Sequence, residues 1–161
     1  MAQIDAFLKL DKINGESTDS KHKDEIEILS WNWGSSNSGT MHRGTGGGTG
    51  KVQVQDMHFV KHVDKATPLL NGACTQGTHI AKGLLTIRKA GGTQLEYFKV
   101  EIQDILVSSV QTGGSDGSPN LTEQFSLNFA KFKVIYTPQD AKGSSAPAVQ
   151  FGYDIAKSTT I

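Results

Sequence analysis

The dominant period along this chain is two. Ile4, Ala6, Leu8 and Leu10 fall on one side of a first predicted strand, with Asp5, Phe7 and Lys9 on the other, which is the alternation of a half-buried β-strand. A polar stretch from Asn14-Gly15 to His22-Lys23-Asp24 leads to a second strand, Glu25 to Trp33. Its apolar positions change side around Leu29: Ile26 and Ile28 share a face with Ser30 and Asn32, whereas Leu29, Trp31 and Trp33 lie opposite. Such a switch predicts a bulge, or a strand whose two ends meet different surroundings. A third strand, Lys51 to Val63, also changes side, from Val52 and Val54 to Met57, Phe59, Lys61 and Val63.

One segment departs from this period. Thr67-Pro68 predicts a short helix over residues 67–76, with Thr67 as N-cap, Pro68 at the first helical position and Gly77 as the stop. Leu69, Leu70, Ala73 and Cys74 form its expected packing face. Strands then return at Leu84–Lys89, Gln94–Val110, Leu121–Tyr136 and Ala148–Ile155, separated by glycine-rich turns. In Leu121–Tyr136, Phe125, Leu127 and Phe129 hold one face before Ala130, Phe132, Val134 and Tyr136 take the other. Long strands that change face close barrels and folded-over sandwiches. The expected fold is mainly β: a small antiparallel barrel or two-sheet sandwich with one short helix.

Between the second and third strands lies a Gly/Ser/Thr excursion, Gly34 to Gly50, with almost nothing to bury. A loop this long and apolar-poor points to a use outside the domain. It is not a phosphate loop, because Walker A needs glycine where Thr45 stands and Ser or Thr where Val52 stands. The dinucleotide fingerprint beginning Gly44-Thr45-Gly46 meets Thr49 at its third glycine and is followed by a strand. An arm that contacts a partner fits better, its glycines letting the backbone conform.

At 161 residues and 17.3 kDa the chain is the size of a single domain, residues 1–161. Its 16 basic and 16 acidic residues cancel, which argues against a nucleic-acid binder and mildly favours self-association. Cys74 stands alone, so no intramolecular disulfide is possible and core packing is its expected role. No apolar run is long enough for a membrane-spanning helix, and the N-terminus has no signal-peptide pattern.

Catalytic and metal chemistry find no convergent set. Gly113-Gly114-Ser115-Asp116-Gly117 matches the nucleophile-elbow pattern, but a strand follows it and no histidine occurs after His79. His58 and His62 have a helical ligand spacing that on a strand spans roughly 13 Å, too far to share an ion. Asp56 and His58 share a face without a nucleophile, and Asn120-Leu121-Thr122 is a sequon by pattern only. No catalytic residue, metal ligand or cofactor is expected. Trp31 and Trp33 serve as core packing, a subunit interface, or the stacking platform of a free-standing glycan-binding β-sandwich.

Gly15-Glu16-Ser17-Thr18-Asp19, His22, Glu25-Ile26 and Leu29-Ser30-Trp31-Asn32-Trp33-Gly34 resemble the N-terminal signature of the haemolysin-coregulated proteins (Hcp), the tube subunits of bacterial type VI secretion systems. Met41-His42, Gly50-Lys51-Val52, Asp64-Lys65-Ala66-Thr67-Pro68, Ala73-Cys74, Leu85 to Gly92, Val107 to Val110 and Leu121-Thr122-Glu123 are similar to the family in the same order. The resemblance runs from first strand to last.

It implies a β-barrel subunit of a hexameric ring. Rings stack into a tube that a contractile sheath expels behind a VgrG spike, with small effectors held in the lumen, so export needs no signal peptide. It further implies that Ser30 and Asn32 contact cargo on the inner wall. Asn32 stands where relatives commonly have serine, which leaves the cargo's identity open. Met41, His42, Arg43, Gly44, Thr45, Gly46, Gly47 and Gly48 would make the extended-loop contacts, and Gly91, Gly92 and Ser158 the ring-stacking edges. No C-terminal toxin domain of the kind that some relatives carry is expected.

Overall fold

The computed structural model describes residues 4–39, 42, 51–92, 94–142 and 145–161. The first predicted strand is β1 (Ile4–Leu10), with Leu8 and Leu10 buried as its alternation requires. Phe7, expected on the polar side, is buried as well, because the His22 ring stacks on it at 4.5 Å.

The side switch at Leu29 is a real break. It separates β2 (Ile26–Ile28), which pairs with β1, from β3 (Ser30–Asn32), which pairs with another strand altogether. Leu29 projects outward at 55% exposure while its N–H donates to the Val60 carbonyl at 2.8 Å. The third predicted strand divides likewise into β5 (Val52–Val54) and β6 (Met57–His62). The glycine-rich excursion is not loop from its first residue, as expected: β4 (Ser35–Asn37) pairs with β5 as a separate two-stranded sheet. Backbone bonds hold that pair, so its polar side chains gave no apolar alternation to read.

The remaining strands are β7 (Ile80–Lys89), β8 (Glu96–Gly113), β9 (Thr122–Tyr136), β10 (Val149–Asp154) and β11 (Thr159–Thr160). Antiparallel pairing runs β11-β10-β9-β8-β7-β1-β2, and β6 joins β3 to β9. The face change predicted in β9 has a topological cause. One side of β9 pairs with β8, but the other pairs first with β6 (Thr122–Leu127) and then with β10 (Lys131–Tyr136). β8 and β9 therefore run through both layers of a sheet folded over on itself. The buried side of β8 changes between Ile102 and Ile105, where Asp104 takes a positive φ (56°), and a bulge at Ser108, where the register slips between Val107 and Ser109, adds a second irregularity. Val100, Ile102, Ile105, Phe125, Leu127 and Phe129 fill the space between the layers.

The helix α1 (Ala66–Gln76) closes one end of this core with Ala66, Leu70 and Ala73 buried, an i, i+4, i+7 stripe. Leu69 is 47% exposed and Cys74 half-buried, so the packing face is narrower than expected. Gly77 ends the helix in the left-handed region (φ 63°), its N–H donating to the Ala73 carbonyl. The predicted Thr67 N-cap is corrected. The helix starts one residue earlier, after Lys65, which has no side-chain cap. Instead the Ala66 N–H donates to Asp64 Oδ1 at 2.9 Å and the Asp64 N–H donates to Thr67 Oγ1 at 3.2 Å, a reciprocal pair around the first turn.

This turn is anchored to the sheet by buried charge. Lys61 and Glu123 are both fully buried. Lys61 Nζ lies 2.7 Å from Glu123 Oε2, 2.8 Å from Asp64 Oδ1, 3.1 Å from Thr67 Oγ1 and 3.2 Å from the His62 carbonyl oxygen. The Thr67 hydroxyl also donates to Glu123.

Candidate functional site

Ser30 and Asn32 stand exposed on β3, and the register extends their face across four strands. Ser30 lies beside Val60, Gln124 and Gln111 in one row, and Asn32 beside His58, Ser126 and Ser109 in the next. Residues paired across antiparallel strands point to the same side. A shallow depression of about 480 Å³ runs over these rows. Its polar groups are hydroxyls, amides and one imidazole, and neither row contains a carboxylate or an ammonium group. The family resemblance offered Ser30 and Asn32 but not Gln111, Gln124 or Ser109, which pairing alone brings beside them.

The bulge at Ser108 shapes one end of this face. Ser108 and Ser109 both turn toward Ser126, at 2.7 and 2.5 Å between hydroxyl oxygens. Ser108 donates to Asp56 Oδ2 at 2.8 Å, and Asn128 donates to Asp56 Oδ1 at 2.8 Å. Asp56 is thus committed to Ser108 and Asn128. His58 and His62 are exposed along β6, and no cluster of three metal-ligating side chains occurs among the described residues. Ser115 lies on the β8–β9 connection, where a strand follows.

On the other side of β3 the tryptophans turn inward, both half-buried. Trp31 stacks on Phe98 with centroids 5.6 Å apart, and Trp33 meets Phe132 edge-on at 5.0 Å and Phe129 at 6.0 Å. The Trp33 indole N–H donates to the Gln55 carbonyl at 3.0 Å.

Gly91 and Gly92, both with positive φ, make the tip of the β7–β8 turn. Ser158, also at positive φ (54°), lies at the β10–β11 turn. These two turns sit at different ends of the sheet, since Phe98 near the first pairs with Tyr136 and thence Val149, whereas Asp154 before the second pairs with Lys131. Ser158 instead lies near Ser35, Asn37 and Lys51, at the base of the excursion, in a cleft floored by Phe132, Phe151 and Tyr153. Of the extended-loop contacts, His42 is an exposed turn residue. Met41, Arg43, Gly44, Thr45, Gly46, Gly47 and Gly48 lie outside the described residues.

Sequence reading missed the setting of the signature residues Asp19, His22 and Glu25. The His22 ring is buried between two carboxylates, Nδ1 at 2.9 Å from Glu25 and Nε2 at 2.7 Å from Glu96. The Arg88 guanidinium lies 4.9 Å from the Phe7 ring centroid and pairs with Asp5 and Asp19. Hydrogen bonding to Arg88 outweighs burial and lowers the Asp19 carboxyl to about 2. The Asp19 hydrogen bond likewise raises Arg88 above its usual value against burial. Burial pushes Glu96 up, but hydrogen bonds from His22 and Lys99 outweigh it and hold the group below the ordinary range. This cluster fastens the Asn14–Asp24 loop to β7 and β8. The only sequence signal for it was the motif itself, since His22 and Glu96 are 74 positions apart.

The chain as a whole is similar to known proteins. Protein hcp1 of Pseudomonas aeruginosa is 49% identical over 154 residues, covering 94% of this chain and 95% of that one. The crystal structure of Hcp1 from Salmonella typhimurium, 38% identical, superposes with a TM-score of 0.83 over 99% of this chain and all of the other. A solved type six secretion system protein, 32% identical, reaches 0.93 with the same coverage. Residues 7–136 match the family model for the type VI secretion system effector Hcp. With that match spanning most of the folded sheet, the chain belongs to the Hcp family of type VI secretion proteins.

Proposed function

We propose that this chain is a tube subunit that closes into hexameric rings, which stack and carry small effector proteins in their lumen, behind a VgrG spike and within a contractile sheath. The observation that carries the reading is the neutral, hydrogen-bonding face of β3, β6, β9 and the distal half of β8. Such a wall holds a folded cargo through hydroxyl and amide contacts without selecting for its charge. Its sheet also ends on both sides. Among the described residues β3 has no partner beyond β6, and β8 has none beyond Ile105 on the side where β7 pairs. Open edges invite a neighbouring strand, and closure into a ring removes them. Val149 and Phe151, 67% and 53% exposed on β10, add apolar surface for a neighbouring copy to cover.

In this reading Ser30 and Asn32 contact cargo, the excursion around Met41 to Gly48 reaches between rings, and the turns at Gly91-Gly92 and Ser158 meet across the stack. The protein is made in the cytoplasm and leaves through the secretion system itself. The inward packing of Trp31 and Trp33 supports a structural role for both rings over a glycan platform.

Light scattering across a dilution series tests the assembly: the expected species has about six times the 17.3 kDa chain mass. A monomer at every concentration refutes it. For the wall, Asn32→Gln or Asn32→Trp should abolish effector retention while the ring mass stays unchanged; unaltered retention refutes the assignment.

A further inference from the structure

The outward face of the other layer is charged where the first is neutral. There the register sets Lys82, Gln103 and Lys131 in one row and Lys9, Leu84, Glu101 and Lys133 in the next. Lys9 and Lys82 are exposed, Lys131 and Lys133 half-exposed. With strands about 4.8 Å apart, the four lysines stand within roughly 15 Å of one another. Among the described residues none of these four ammonium groups forms an ion pair, whereas Lys61, Arg88 and Lys99 all do. Four carboxylates lie near, one of them that of Asp104, exposed next to Gln103 and 3.0 Å from His79 Nε2. Glu101 sits across from Lys133, Asp11 stands at the rim beside Lys9 and Lys82, and Asp154, across from Lys131, is buried and accepts the Lys157 N–H. With Asp104 held by His79 and Asp154 by the Lys157 N–H, the four ammonium groups outnumber the carboxylates left to meet them, Glu101 and Asp11, in a chain whose formal net charge is zero.

We propose that this lysine face docks an acidic protein surface, whose carboxylates supply the counter-charges that the fold itself leaves out. The proposal rests on the tube reading for its direction only: with the neutral wall inward, the lysine face points outward, toward whatever encloses the tube. Two features favour protein over nucleic acid. Glu101 sits among the lysines, where it would repel a phosphate backbone but can accept from a donor on a protein surface. Half-buried Leu84 offers apolar contact between the charges.

The probe is a fluorescein-labelled oligoglutamate of about 20 residues, followed by anisotropy, with a DNA duplex of similar charge alongside. Binding should appear at low ionic strength and fade as salt rises from about 20 to about 200 mM. Lys82→Gln, Lys131→Gln and Lys133→Gln together should weaken it by about tenfold or more, the scale of three modest surface ion pairs. The same charge change made elsewhere, at Lys21, Lys23 and Lys51, should leave it intact. Equal binding by both triple variants, or tighter binding of the duplex, overturns the proposal. Light scattering on the same samples keeps the two readings apart. Lysine-dependent binding by a protein that stays monomeric upholds the docking face and removes the tube, while a ring that binds oligoglutamate regardless of these lysines does the reverse.

Discussion

Lys61→Met cuts the one ion pair among the described residues in which both partners are wholly buried. The ammonium group touches four oxygens, on Glu123, Asp64, Thr67 and His62. Methionine fills nearly the same volume, so packing changes little while the charge disappears. Glu123 would then keep only the Thr67 hydroxyl as donor, and its Oε1 already has no protein partner. Removing one member of such a pair strands the other charge away from water, a cost of about 3–5 kcal/mol. For a chain of this length that is roughly 6–20 °C in melting temperature. The double variant Lys61→Met with Glu123→Leu removes both charges, so it should recover most of the loss and lie within about 1–2 kcal/mol of the parent. Denaturant unfolding followed by tryptophan fluorescence measures all three proteins, at one fixed protein concentration because assembly shifts the midpoint. The reasoning is refuted if Lys61→Met costs less than about 1 kcal/mol, or if the double variant loses as much as the sum of the two single changes.

Two further predictions concern the loop that precedes β2. The Asp19 carboxyl is depressed to about 2 from 3.8, so its bond to Arg88 stabilises the fold above about pH 4 and that contribution is lost as pH falls toward 2. Asp19→Asn should flatten that part of the stability–pH curve; an unchanged curve shows that other groups set it. Gly15→Ala should destabilise by about 1–3 kcal/mol, since an added Cβ would sit 2.6 Å from the Glu25 carbonyl oxygen and the Ile26 Cα, backbone atoms that cannot swing aside. Thermal unfolding measures it, and a loss no larger than that of an exposed Gly39→Ala control contradicts the crowding argument.

Alternation along the chain carried most of the fold because burial is a one-sided demand that each strand meets locally. It located the breaks at Leu29 and in β9, since a strand that changes neighbours must change its apolar side. It could not find β4, whose Ser35-Ser36-Asn37 is held by backbone bonds alone. Nor could it see that Lys61, in phase with Met57 and Phe59, is buried with its charge. That depends on Glu123, 62 positions later, arriving opposite it through β6–β9 pairing. The helix was legible in extent and stop, but not in its cap, because Thr67 is drawn toward Glu123 and Lys61 rather than toward the turn's free N–H groups. The candidate wall was half legible: the family resemblance singled out Ser30 and Asn32, whereas Gln111, Gln124 and Ser109 join them only through the register.

The two longest strands have a mechanical consequence. β8 and β9 are antiparallel neighbours through both layers, interrupted at Asp104, which stands at positive φ outside the register, and at the Ser108 bulge. Inter-strand hydrogen bonds lie across the strands, so a force along the strand axis loads the whole ladder in shear, many bonds at once, instead of opening it one bond at a time. Stiffness along that axis is therefore a property of the entire ladder, and load concentrates where the ladder is broken, at Asp104 and at the Ser108 bulge.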